Sequence, residues 1–198
     1  MIWQMPLFKE LKKVISSNSL GPVKMIQVNF GSFKEYDVNN RFFNPDLAGG
    51  ALLDIGVYAV SFARWFMASK PNTILTTMTP FETGVDESSG ILLQNKEMEI
   101  VTISLTMRAK QPKRGLVACE NGYIEIYNFP RADKATITYT SDGHTQEITC
   151  GESGLALNYE IRDMEEYVSS LNGQTNLEYI QDVMDVLTRV QESWKVHE

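Results

Sequence analysis

The chain has 198 residues, a formal charge of −7, 43% apolar and 22% charged residues, enough to bury roughly 70% of its unfolded surface. Thirteen Gly and seven Pro are near average usage, which excludes disordered and fibrous classes, and the acidic balance argues against a nucleic-acid surface, where clustered positive charge supplies most of the affinity. Two cysteines, Cys119 and Cys150, are too few for a disulfide framework and point to a reducing, cytoplasmic setting.

Leu7, Leu11, Val14 and Ile15 recur at i, i+4, i+7 and i+8, which predicts an amphipathic helix over 6–17 with Pro6 in its first turn. Ser16-Ser17-Asn18-Ser19 and Gly21-Pro22 end it. The residues before it, Met1 to Leu7, lack the early positive charge of a secretory leader. Ile26, Val28 and Phe30 then alternate with Gln27 and Asn29, the period of a half-buried strand. Residues 31–47 are polar with scattered aromatics and read as a long loop, a length usually tied to function or mobility. Gly49-Gly50 precedes a second helix over 51–67. Asp54, Gly56 and Arg64 interrupt this apolar run, so it reads as a buried helix and not as a bilayer span, which needs about 20 mostly apolar residues.

Strands are expected near 73–79, 88–94, 98–107, 115–120, 123–127, 135–140 and 145–150. Val101, Ile103, Leu105 and Met107 give the clearest alternation. Asn121-Gly122 is expected as a two-residue type I′ turn with positive φ at both positions, and Ser141-Asp142-Gly143 as a second turn. Such short connections predict a mainly antiparallel sheet. Two helices close the chain. Leu157, Ile161, Met164, Val168 and Leu171 form the stripe of one, ended by Asn172-Gly173; Ile180, Met184, Leu187, Val190 and Trp194 form the stripe of the other. Helices at both ends of a run of strands predict an α+β fold: a largely antiparallel, open-faced sheet with helices packed on one face, in one domain over 1–198.

Little in the composition carries chemistry. The two histidines, His144 and His197, have no second His or Cys at ligand spacing, so no metal site is expected. Cys119 and Cys150 read as small buried apolar groups. No nucleophile elbow, P-loop or G-x-G-x-x-G occurs. Arg108, Lys110, Lys113 and Arg114 read as a solvated hairpin tip in preference to an anion site. The segment that stands out is Gly49-Gly50-Ala51-Leu52-Leu53-Asp54-Ile55-Gly56-Val57-Tyr58. On an α-helix Asp54 and Tyr58, at i and i+4, share a face, and Asp54 sits in the first turn, where the dipole favours negative charge. Two readings stand at this level. In one, Asp54 charges the helix start, Gly56 permits tight packing and Tyr58 is core. In the other, Gly56 leaves the surface bare for a ligand, Tyr58 presents its phenol to a cleft and Asp54 positions a substrate hydroxyl.

That decapeptide resembles the signature opening the substrate-domain helix of the glucose–fructose oxidoreductase/inositol dehydrogenase (Gfo/Idh/MocA) family, in the variant ending in Tyr that is similar to dimeric dihydrodiol dehydrogenases and glucose–fructose oxidoreductases. The resemblance runs along the chain. It includes Leu11-Lys12-Lys13-Val14-Ile15 through Leu20-Gly21-Pro22-Val23, then Arg41-Phe42-Phe43-Asn44-Pro45 before the glycines. Glu120-Asn121-Gly122-Tyr123-Ile124-Glu125-Ile126 and Tyr159-Glu160-Ile161 follow in family order. The resemblance implies an NAD- or NADP-dependent enzyme acting on a sugar, polyol or dihydrodiol. It further implies Tyr58 as proton-transfer group, Asp54 as substrate orienter, and Arg41, Phe42 and Asn44 as pocket lining. Family enzymes carry a Rossmann domain first, ending in a Glu-Lys-Pro element that supplies a lysine. Met1-Ile2-Trp3-Gln4-Met5-Pro6 resembles the stretch just after it, with Gln4-Met5 departing from the usual aromatic-Arg-Phe. The chain is therefore expected to be the C-terminal substrate and dimerisation domain. Alone it is expected to bind no cofactor and to be inactive, with a homodimer formed through the sheet face and neither nucleic acid nor membrane as partner. The alternatives are a non-catalytic dimerising module and an unrelated α+β ligand-binding domain.

Overall fold

A computed structural model describes residues 2–170 and 176–195. Helix α1 (Pro6–Ser16) begins on Pro6, whose missing N–H costs nothing in a first turn. Strand β1 (Val23–Gly31) follows, then α2 (Val57–Phe66), which continues from a π-helical turn at Leu52–Gly56. Seven strands come next: β2 (Pro71–Pro80), β3 (Asp86–Asn95), β4 (Ile100–Thr106), β5 (Gln111–Cys119), β6 (Gly122–Tyr127), β7 (Lys134–Tyr139) and β8 (Thr145–Thr149). Helices α3 (Ala156–Ser170) and α4 (Leu177–Lys195) close the chain. All seven strands expected after residue 71 are present, with ends shifted by a few residues.

The strands form one sheet in the order β2-β3-β4-β1-β5-β6-β7-β8. Only β1 and β4 pair in parallel among the described strands; the other pairings are antiparallel. Because side chains alternate across a strand, register separates two faces. Ile74, Leu93, Val101, Ile26, Val117, Ile124 and Ile137 stand in one row and meet the helices. One position along, Leu75, Leu92, Thr102, Gln27, Leu116, Glu125 and Thr136 form a row on the opposite, uncovered face. The α+β architecture with an open-faced, largely antiparallel sheet is as the sequence predicts.

Between sheet and helices the core is aromatic. Phe8, Phe62, Phe66 and Phe129 are sealed from solvent and meet at ring-centroid distances of 5.1–6.0 Å. Phe62 lies so close over Gly115 that a Cβ there would collide with its ring, so the glycine hollows the sheet for α2. By composition Pro45–Phe66 is long and apolar enough to cross a bilayer, and its apolar residues Leu52, Ile55, Phe62 and Phe66 fill this core.

Four expectations need correction. The loop over 31–47 is less open than its polarity suggests, because Phe43 is fully buried against Tyr36 and Phe81 and two 3-10 turns, Arg41–Phe43 and Pro45–Leu47, give the segment a fixed course. The β5–β6 turn is not type I′. Its central residues are Glu120 and Asn121, neither with positive φ, and their amides donate to Pro22 O and Leu20 O. Gly122 is the first residue of β6, where a Cβ would lie 2.5 Å from the Thr138 carbonyl. The stripe of α3 is exposed: Leu157, Ile161, Met164 and Val168 are all 53–67% accessible. Its last member, Leu171, and the Asn172-Gly173 stop lie outside the described residues. In α4 the buried face is Val183, Val186, Leu187 and Val190, while Ile180 and Met184 face solvent. Helical periodicity identifies an apolar face but not what covers it.

Candidate functional site

The diglycine fixes the site's framework. Gly49 N donates to Asn44 O (3.0 Å) and Gly50 N to Phe42 O (2.9 Å), so the 41–47 segment is clamped to the start of the helix. A Cβ on Gly49 would sit 2.8 Å from three carbonyl oxygens, those of Arg41, Phe42 and Asn44. Gly50 adopts φ +101°, open to glycine, and a Cβ there would collide with the Asp86 carboxylate.

Asp86, the first residue of β3, is the cap that the helix lacks in its own sequence. Its Oδ2 accepts from Leu52 N at 2.8 Å and from Ser89 Oγ at 3.3 Å, so a carboxylate from a neighbouring strand satisfies a free amide of the first turn. Burial pushes its carboxyl up to about 7, against the opposing pull of these hydrogen bonds and that of the Ala51 amide. Sequence reasoning did not find Asp86, because the contact spans 34 residues and nothing near Asp86 marks it.

Asp54 lies in the π-helical turn Leu52–Gly56, one turn before Tyr58 at the start of α2. Asp54 Oδ1 accepts from Arg41 Nη2 at 2.6 Å, and the guanidinium lies 4.2 Å from the centroid of the Phe42 ring. Asn44 accepts from Asp46 N at 2.9 Å and caps the second 3-10 turn. Gly56 is buried, and a Cβ there would lie 2.8 Å from Leu105 Cδ1, so the glycine serves tight packing and not ligand approach. Tyr58 follows in the first turn of α2. Its ring packs 6.3 Å from Phe30, and its hydroxyl has no hydrogen-bond partner among the described residues.

Tyr58 and Phe30 form one wall of a cleft of about 400 Å³. Lys113 of β5, the turn residues Asn128, Pro130 and Arg131, and Ser153 complete its lining. That turn is anchored by Phe129, wholly buried beneath Phe30 and Phe62, and is tied to β5 by Asn128 N donating to Lys113 O at 2.7 Å. The five residues singled out in the sequence thus fall in two groups. Arg41, Phe42 and Asp54 meet with Asn44 in the clamped segment, and Tyr58 alone lines the cleft.

The cations expected at a hairpin tip are dispersed. Arg108 donates to Lys34 O, and Arg114 pairs with Glu125 at 2.5 Å on the open sheet face. Lys113, inside β5 and not at a tip, reaches the cleft. Cys119 is a partly buried thiol that burial pushes up to about 11, which suppresses its nucleophilic form. His144 stacks on Tyr139 at 4.3 Å and contacts Asp142 at 2.6 Å within its turn. His197 lies outside the described residues.

An open eight-stranded sheet with helices on one face is also the fold of one part of larger solved chains. It superposes on an aldose-aldose oxidoreductase from Caulobacter crescentus with TM-score 0.78 and 16% identity, covering 97% of this chain and 60% of that one. A 3-ketoreductase from Actinomadura kijaniata, solved with NADP and TDP-benzene, gives TM-score 0.78 and 16% identity over 96% of this chain and 59% of that one. Residues 8–125 match the GFO/IDH/MocA C-terminal domain, and the chain belongs to that family. In sequence it is 31% identical over 161 residues to trans-1,2-dihydrobenzene-1,2-diol dehydrogenase of Xenopus laevis, covering 78% of this chain and 48% of that protein. The chain therefore spans about half the length of that relative.

Proposed function

We propose that this chain is the substrate-binding C-terminal domain of an NAD(P)-dependent oxidoreductase acting at a carbinol carbon of a sugar, polyol or dihydrodiol. The observation that carries the reading is Tyr58, which lines a cleft and whose hydroxyl has no hydrogen-bond partner among the described residues, on the helix that opens with the family's motif. Tyr58 moves the proton to or from the substrate oxygen. Asp54 is steadied through Oδ1 by Arg41 and has a second oxygen for a substrate hydroxyl. Phe42 and Asn44 shape the segment that holds Arg41. The parallel pair, β1 and β4, is linked through α2 and the antiparallel strands β2 and β3, a different connection from the βαβ unit that carries a dinucleotide. A nicotinamide held by a separate domain supplies the hydride chemistry. The exposed apolar stripe of α3 offers such a domain a surface to lie against. The test is calorimetric. Neither NADH nor NADPH is expected to give a binding isotherm with this chain, and tight binding of either sinks the two-domain reading.

The uncovered sheet face favours a second property, homodimer formation. Leu75, Leu92, Tyr123 and Tyr127 are exposed there among Thr and Gln side chains and the Arg114–Glu125 pair, a mixture suited to burial against a second copy. Sedimentation at micromolar concentration is expected to give a dimer that Leu92→Asp converts to monomer. A monomeric parent chain removes the sheet-mediated dimer, and with it the alternative of a purely associative module.

A further inference from the structure

We infer that the Tyr58 cleft takes a substrate bearing an anionic group, a carboxylate or a phosphate ester, held by Lys113 and Arg131. The inference rests on the reading of this cleft as the substrate site and specifies what enters it.

The charge pattern is the first argument. The chain carries −7 overall, yet the cleft lining includes two cations and no carboxylate. Elsewhere Arg41 pairs with Asp54, Arg64 with Asp182 and Arg114 with Glu125. Among the described residues neither Lys113 nor Arg131 has an ion-pair partner. Asp133, two positions beyond Arg131, has one oxygen engaged by the amide of Ser153 at 3.0 Å.

The second argument is geometric. Lys113 Nζ lies 4.9 Å from the centroid of the Phe30 ring, which also packs against Tyr58 at 6.3 Å, so the ammonium and the phenol ring neighbour the same aromatic side chain. The bond from Asn128 N to Lys113 O joins the strand bearing one cation to the turn bearing the other. A substrate filling this cleft shields both charges from water. A neutral polyol gives them only hydroxyl oxygens, whereas a carboxylate or phosphate ester neutralises them, and a guanidinium fork suits either anion. A cleft of about 400 Å³ accommodates a sugar acid or a sugar monophosphate.

The experiment is a titration of the chain followed by amide NMR signals, using D-gluconate, D-glucose 6-phosphate, D-glucose and NADPH. The two anionic sugars are expected to shift the signals of Tyr58, Asn128 and Arg131 and to bind at least about tenfold more tightly than glucose. That margin should shrink as salt rises from about 0.05 to 0.5 M. Lys113→Ala and Arg131→Ala, both at exposed side chains, should each weaken the anionic sugars by about tenfold and glucose by much less. Equal binding of glucose and the anionic sugars, unaffected by either variant, overturns the anionic preference and leaves the cleft as a neutral-polyol site. Shifts with NADPH alone assign the cations to the cofactor and overturn the inference. No response to any sugar removes both the inference and the reading of the cleft beneath it.

Discussion

In a full-length oxidoreductase built on this domain, Tyr58→Phe is expected to lower kcat by about 100-fold or more while leaving the fold and KM nearly unchanged. The size follows from the role. A positioned acid–base group typically contributes 10²–10⁴-fold, and phenylalanine removes only the oxygen. Its ring can still pack against Phe30, now 6.3 Å from Tyr58, and no internal hydrogen bond is lost, since the hydroxyl has no partner among the described residues. The thermal midpoint should therefore stay within a degree or two of the parent. A free phenol titrates near 10 and is a poor base at neutral pH, so a cation must favour its anion; the family resemblance implies a lysine from the nucleotide-binding half. An unchanged kcat with an unchanged midpoint returns Tyr58 to a packing role, and the cleft then loses its only acid–base group near the motif helix.

The sheet and the site differed in how much of them the sequence carried. Alternation at Val101, Ile103 and Leu105 identifies β4 because burial on one face of a pleated strand imposes a period of two, and that constraint is local. The same holds for Ile26 and Val28. Asp54 and Tyr58 were legible as a motif, but their surroundings were not: the ion pair of Asp54 with Arg41 and the cleft that Tyr58 lines both depend on where distant segments fold. The rest of the cleft lining comes from Lys113, Asn128, Pro130, Arg131 and Ser153, brought in by strand order and by the burial of Phe129. Both are non-local. The stripes of α3 and α4 show the converse limit, since Ile161 and Met184 repeat at helical spacing yet stand in solvent.

Asp86 carries the other large effect, in stability and its pH dependence. The buried carboxyl, raised from 3.8 to about 7 by desolvation, holds its proton in the folded chain where the unfolded chain has lost it. Between those values the native state binds more protons, so unfolding free energy falls as pH rises, by on the order of 4 kcal/mol for this group over the interval. Its favourable contribution is complete below about pH 4 and gone above about pH 7. Glu99, also raised by burial although it accepts from Ala68 N and Asn95 Nδ2, adds to the same slope. Asp86→Asn keeps an acceptor for Leu52 N and cannot titrate. Urea unfolding at intervals from pH 5 to 8 should therefore show a falling curve for the parent and a distinctly flatter one for Asp86→Asn, with the variant gaining on the parent at the alkaline end. Asp86→Ala, which leaves the amide of Leu52 and the hydroxyl of Ser89 without this acceptor, should cost about 2 kcal/mol at pH 5. Parallel curves for parent and Asp86→Asn would mean that the carboxyl is ionised throughout, and the cap of the motif helix would then be a charge–dipole contact of ordinary acidity.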